Sequence, residues 1–251
     1  MSRLVVFNET FASLNRNDDF TILWHEAIAG RQAWNVASAF IKCIVASGAS
    51  HVMFWADNCG AQNKNWILFT ALAWCVQQTW GPETVTIAYL ERGHTTNRCD
   101  SIHGNIATAM KRQRHVTDFM DFVELCANST KKIECILMNP CDFYKFESGQ
   151  RSRQSKNVKL PQLNQVRELK FQKGCRGFFY RAELDDHEEC YVDFLKPSFK
   201  LENEPKKMES PRGISQAKKD GILKLVPAIK ARFWMDLPTN DSSNDLVSEF
   251  E

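Results

Sequence analysis

The sequence predicts an α/β fold, a partly parallel sheet with helices packed on its faces. Two observations carry this. Over the first 115 residues, apolar runs rich in β-branched and aromatic residues alternate with stretches of helical spacing, in the order β-β-α-β-α-β-α. The chain has 251 residues, 43% hydrophobic and 25% charged, which is ordinary globular composition and enough to bury a core. Collagen-like, fibrous and wholly disordered classes are disfavoured by the same figures.

Each element has its own signal. Leu4–Ala12 and Phe20–Gly30 are strand-like and joined by a turn-like stretch at Asn15–Asp19, which suits a hairpin. Arg31–Ser47 carries Trp34, Val36, Ala37, Phe40, Ile41, Ile44 and Val45 at helical spacing, and Gly48 suits its C-terminal cap. His51–Asp57 (HVMFWAD) reads as a short buried strand ending in an acid. NCGAQ is a turn, and Asn65–Trp80 a very apolar helix closed by Gly81-Pro82. Thr84–Glu91 is a second buried strand, GHTTNRC a loop, and Asp100–Arg114 a helix.

The remainder is different in character. Lys145–Arg181 holds ten basic residues against Glu147 and Glu168, a local charge of 10 − 2 = +8, and the acidic block Glu183–Glu189 follows. Strand-like pieces between Val166 and Lys196 suggest a small β unit. A linker at Pro197–Pro211, a short amphipathic helix at Ile214–Ala231 and the string FWMDLP precede an acidic tail, which the composition predicts to be disordered. The expected division is residues 1–125, then 126–235, then a tail at 236–251.

Composition also limits partners and compartment. Lys plus Arg is 32 and Asp plus Glu is 30, so a net charge of +2 supplies no global field for nucleic acid or membrane. The longest apolar run, Ile67–Val76, is about half the roughly 20 residues a bilayer crossing needs. Residues 1–20 lack a cationic segment followed by an apolar one, so no secretory signal is expected. The nine cysteines are odd in number, dispersed and free of C-x-x-C, which reads as reduced intracellular thiols.

Asp57 and Asp100 are the residues best placed for chemistry. Acids at strand and helix ends in one cleft are what Mg²⁺ or Mn²⁺ needs, and two ions clamp the oxygens of phosphodiester cleavage. The plainer reading of Asp57 is that it caps the turn that follows. His94, Asp100 and His103 with Cys59 or Cys99 match no strong zinc pattern, so no zinc is expected. Cys59 with His94 is a weaker nucleophile pairing. Trp66 and Trp74, eight apart on an apolar helix, read as core. In the basic stretch, Arg151, Arg153, Lys156, Lys159, Lys170, Lys173 and Arg176 could follow a phosphate backbone, with Phe178, Phe179 and Tyr180 as stacking platforms. The alternative is a solvated basic surface balanced by Glu183–Glu189.

Two long strings, ADNCGAQNKNW and YLERGHTTNRCDSIHGNI, together with WHEAIAGRQAWNVASAF and FWMDLP, resemble an uncharacterised transposon-derived family with DNC-x-x-QNKN and GHT-x-x-x-x-D-x-x-H-x-x-I blocks. That family looks like a DDE-type transposase with a ribonuclease H-like fold that cuts and joins DNA with two metals. The resemblance implies a nuclear DNA-binding protein, Asp57 as a catalytic carboxylate and Asp100 as another. It also implies that Asn58, Gln62, Asn63 and Asn65 shape the turn and that His94 and His103 line the site. Two departures are visible. The fold needs three antiparallel strands before its first crossover helix and only two are found, so the first strand, with its aspartate, is expected to lie upstream of Met1. The family's acid after H-x-x-I is Ala107 here. Losing a central strand would leave unpaired edges, which invite self-association. The resulting expectation is an inactive, transposase-derived protein. Its alternatives are a non-catalytic nucleic-acid-binding protein, and an active nuclease using Glu9 or Glu26 with Asp57.

Overall fold

The computed structural model describes residues 3–14, 18–60, 62–91, 97–113, 116–151, 158–185, 187–226 and 231–240. His94, Arg153, Lys156 and the tail from 241 onward lie outside them. The chain divides into two compact units, each assembled from separated stretches. The first draws on Met1–Gln32, Thr96–Phe143 and Lys207–Glu251, the second on Ala33–Thr95 and Tyr144–Lys206. The boundary expected at 125 falls inside a helix of the first unit.

The first unit is built on a three-stranded mixed sheet. Strand β1 (Val6–Phe11) pairs antiparallel with β2 (Asp19–His25), Val6 opposite His25 and Phe11 opposite Phe20, as the hairpin reading expects. Every residue of β2 is buried. Its other neighbour is β5 (Ile133–Leu137), in parallel, with Asp19 opposite Ile133. Helices α3 (Arg98–Arg112) and α4 (Phe119–Ser129) supply Ile102, Ile106, Phe119, Leu125 and Cys126, which pack with Leu23 and Ile133. Ile102 and Ile106 are four apart, so a single narrow stripe of a largely polar helix faces the core.

A second cluster joins Ala27 to Ile214, Ile222, Trp234 and Leu237. The late segment forms two short helices, α5 (Gln216–Leu223) and α6 (Ala231–Met235), rather than one helix over 214–231. The stretch 236–240 is ordered: Leu237 is buried, the Ile214 N–H donates to Pro238, and the Asn240 N–H donates to Ile214.

The second unit holds a five-stranded sheet in the order β3 (His51–Ala56), β4 (Thr84–Tyr89), β6 (Glu168–Gln172), β7 (Phe178–Arg181), β8 (Cys190–Val192). β3 and β4 are parallel; the later strands run antiparallel. The expected small β unit therefore exists, but it extends the β3–β4 sheet. The hairpin of residues 6–25 and the β3–β4 pair were expected to share one sheet and belong to two.

Helices α1 (Ala33–Ser47) and α2 (Trp66–Cys75) pack against each other in this unit. α2 is buried at every position from Leu68 to Cys75, which its apolar character on all sides requires. Trp74 is in the core against Tyr144 and Phe146, and Trp66 stacks with Phe194 at 5.6 Å, so both tryptophans pack as expected. Glycine is obligatory at Gly81, where a Cβ would meet the Cys75 carbonyl oxygen at 2.0 Å. β3 departs from the buried-strand expectation. It is an edge strand whose alternate residues His51, Met53 and Trp55 are exposed.

The stretch 197–211, expected as a linker, is packed. Leu201 and Met208 are buried, the Lys145 N–H donates to Lys206, and the Met208 N–H donates to Phe143. All nine cysteines are free. Burial pushes the Cys75 and Cys126 thiols up to about 12, where they are inert. No helix among the described residues is long and apolar enough to cross a membrane.

Candidate functional site

The DNCGAQNKN block begins where β3 ends. Asp57 is exposed, and its Oδ1 accepts the Cys59 N–H at 3.1 Å and the Asn63 side-chain N–H at 2.5 Å. Such short-range side-chain acceptance is how aspartate closes a turn. The Cys59 carbonyl accepts N–H groups from Gln62, Asn63 and Lys64 at 3.2, 2.8 and 3.2 Å. Asn58 donates to the Leu90 carbonyl at 2.5 Å, tying the turn to the end of β4. Asn65 caps α2, its Oδ1 accepting the Leu68 N–H at 2.9 Å, and its amide donates to Gln62.

Lys64 is the interior member of the block. Its side chain is buried, and the ammonium donates to Asn58 Oδ1 at 2.8 Å and to the Val166 carbonyl at 2.7 Å. It also lies 4.2 Å from the centroid of the Tyr89 ring. Burial pushes the Tyr89 phenol well above its ordinary value, so the neutral hydroxyl donates to the Asn63 carbonyl at 2.7 Å. Neither Lys64 nor Tyr89 stood out in the sequence. The available signal was a lysine flanked by two asparagines, immediately before a helix with no exposed face.

Asp100 belongs to the first unit, whereas Asp57 belongs to the second. Asp100 forms a capping box at the start of α3: its Oδ2 accepts the Asn97 N–H at 2.8 Å, and Asn97 Oδ1 accepts the Cys99 N–H at 2.8 Å. His103 Nε2 lies 2.9 Å from Thr10 Oγ1, whose own hydrogen goes to Asn8 Oδ1 at 2.9 Å, so the imidazole is the donor of the pair. Desolvation lowers the His103 pKa, and Asp100 pulls it partly back. Ala107 is exposed on the same face as Asp100 and His103 and brings no carboxylate to it.

Three further acids of this unit, Asp19, Glu9 and Glu26, have structural partners. Asp19, wholly buried, accepts from Arg98 at 2.7 Å and from the Ser13 N–H at 3.0 Å. Glu9 pairs with Arg31 at 3.3 Å. Glu26 accepts the Val5 N–H at 2.7 Å and the Lys218 ammonium at 2.6 Å. Among the described residues no three His, Cys, Asp or Glu side chains converge so as to hold a metal ion.

The basic stretch is largely answered by acids of its own unit. Arg151 and Arg176 pair with Asp193 at 2.8 and 3.3 Å, Lys170 with Glu189 at 2.5 Å, and Lys173 with Glu83 at 3.3 Å. Arg181 bridges Glu168 and Glu189. Arg176 also donates to the Phe199 and Lys196 carbonyls. Lys159 is exposed. The expected counterweight, the acidic block at 183–189, contributes through Glu189. Of the proposed stacking platforms, Phe178 is in the core, while Phe179 stands on the opposite side of the sheet, 5.1 Å from Tyr191.

Comparison with curated proteins and with solved structures finds no match. A family described as a domain of unknown function, DUF7869, matches residues 48–176, just over half of the chain. The match spans both distinctive blocks, from the approach to β3 through the Asp57 turn, α2, β4 and α3 to the basic stretch. The chain belongs to the DUF7869 family.

Proposed function

We propose that the chain is a transposase-derived protein that binds nucleic acid without cutting it. One observation carries the non-catalytic part: the two carboxylates offered for metal are engaged in a turn and in a helix cap, Asp57 Oδ1 by Cys59 and Asn63, Asp100 Oδ2 by Asn97. The DNC-x-x-QNKN block then serves architecture, locking β3 and β4 to the start of α2 through Asn58, Lys64 and Asn65. Metal-dependent cleavage and strand transfer are the ancestral activity in this reading.

The binding part rests on the resemblance and on the cations of the 145–181 stretch, many of them held by acids that phosphate would have to displace. Weak, sequence-independent affinity follows. The test incubates the purified chain and its Asp57→Ala variant with supercoiled DNA and Mg²⁺ or Mn²⁺, and measures binding by fluorescence anisotropy. The expected result is binding without nicking in either protein. Nicking by the parent chain that disappears in Asp57→Ala overturns the proposal.

A further inference from the structure

The sheet edges are not equally protected. β1 carries Glu9, β5 carries the exposed Glu134, and β8 is only three residues long. Charge and shortness are the usual guards against edge-to-edge pairing. β3 has neither: HVMFWA is six residues long, without Lys, Arg, Asp, Glu or Pro. Among the described residues no strand pairs with its outer edge. It also exposes Met53 at 50% and Trp55 at 44%.

The two faces of β3 are assigned by contacts. Phe54 packs on Phe40 of α1 with ring centroids 5.0 Å apart, so the even-numbered residues face the helices. His51 Nδ1 lies 2.9 Å from Thr84 Oγ1 on the other face, in register with His51↔Thr84 pairing. The odd-numbered residues therefore line an open sheet face.

We propose that β3 is a homodimerisation edge, pairing antiparallel with β3 of a second copy about a two-fold axis at Met53. Directly opposed residues in an antiparallel pair share a face, so the register must keep odd with odd and even with even. An axis at Met53 does so: Met53 meets its own copy, His51 meets Trp55, and Val52 meets Phe54. The open-face contacts are then aromatic or thioether, and the helix-side contact is β-branched against aromatic, both favourable cross-strand pairs. No charge meets its like across the axis. The edge is thus complementary to itself, which singles out a second copy as its occupant, and the two five-stranded sheets become one. This inference does not depend on nucleic-acid binding.

The test is sedimentation of the full chain over a concentration series, with Met53→Lys as the variant. Because Met53 is half exposed, the substitution leaves the monomer folded, which circular dichroism checks. Parent chain that dimerises below about 100 µM, with the variant at least about tenfold weaker, supports the proposal. A second readout is Met53→Cys, which places two thiols opposite each other across the axis and should oxidise to a dimer whose cross-linked peptide joins the two substituted positions. Parent chain that stays monomeric at that concentration, an equally strong dimer in Met53→Lys, or an oxidised product linked only through native cysteines would overturn it.

Discussion

The Lys64 ammonium sits 4.2 Å from the centroid of the Tyr89 ring and donates to the Val166 carbonyl at 2.7 Å, joining the turn after β3 to β4 and to the approach to β6. A buried cation in this position is held by the acceptors aimed at it. Lys64→Met fills the space but strands Asn58 Oδ1 and the Val166 carbonyl, at roughly 1–3 kcal/mol per buried unsatisfied group. The expected loss in urea denaturation is about 2–6 kcal/mol. A loss under about 0.5 kcal/mol, the ordinary surface range, would show that water replaces the ammonium at no cost.

The Arg98–Asp19 pair should respond asymmetrically. Asp19 is wholly buried, whereas the Arg98 side chain is 41% exposed. Removing the arginine leaves a buried carboxylate with the Ser13 N–H as its remaining described donor; removing the aspartate leaves a guanidinium that water can reach. Arg98→Ala is therefore expected to cost about 2–3 kcal/mol and Asp19→Asn about 1 kcal/mol, measured by thermal or chemical unfolding. The reverse order would mean that the pair contributes through Asp19 alone.

His25 gives the first unit an acid-sensitive point. It ends β2, lies against the rings of Phe119 and Phe233, and its Nδ1 has no hydrogen-bond partner among the described residues. Desolvation lowers its pKa to about 4, with Glu26 opposing. The folded state thus prefers the neutral ring, while the unfolded chain takes up a proton at its ordinary pKa of about 6.5. This contribution to stability is intact above pH 6.5 and is lost as pH falls towards 4, by about 3 kcal/mol in all. His25→Leu should flatten that part of the pH–stability curve. An unchanged slope in the variant would assign the acid sensitivity to other groups.

The parts of the fold that the sequence revealed are those governed by local pattern. The hairpin, α1 with its left-handed Gly48 cap, and the β3–α2–β4 succession follow from apolar spacing and turn residues. What stayed hidden was long-range pairing. Nothing in the Ile133–Leu137 pattern says that it lies beside β2 in place of β3, because parallel pairing is decided by which buried faces meet. The same holds for β6 joining β4 across about 80 intervening residues. β3 looked buried because an apolar run reads alike in a central strand and in an unprotected edge. In the candidate site, the capping alternative for Asp57 was visible in Asp-Asn-Cys-Gly. The role of Lys64 was not, since a lysine's burial depends on acceptors such as the Val166 carbonyl, 102 residues away.

Asp57 separates an architectural block from a catalytic one. As a turn-closing acceptor, it can be replaced by asparagine, whose Oδ1 still accepts the Cys59 N–H. Asp57→Asn should therefore stay within about 0.5 kcal/mol of the parent, and Asp57→Ala should lose about 1 kcal/mol through the freed Cys59 and Asn63 donors. Both values come from equilibrium unfolding without divalent ions. A carboxylate kept for metal would behave differently: adding Mg²⁺ or Mn²⁺ would raise the parent's melting temperature and leave both variants unmoved. No such shift is expected.

Salt dependence measures how many cations remain for phosphate once the ion pairs are counted. Of the ten basic residues in 145–181, Arg151, Lys170, Lys173, Arg176 and Arg181 have carboxylate partners within 3.3 Å, and Arg153 and Lys156 lie outside the described residues. Lys145, Lys159 and Arg167 have no carboxylate within ion-pair distance among the described residues. Among the described residues these three contacts contribute about −2.7 to the slope of log affinity against log salt, or roughly a 40-fold loss for each fourfold rise in salt. Lys145→Gln, Lys159→Gln and Arg167→Gln together should remove most of that slope. Releasing a held cation should act in the opposite sense: Asp193→Asn frees both Arg151 and Arg176 and should steepen the slope by up to about two contacts. Anisotropy titrations at two salt concentrations measure both effects. A parent slope beyond about −5, unchanged in Asp193→Asn, would mean that the paired arginines already engage phosphate and that their carboxylates yield freely.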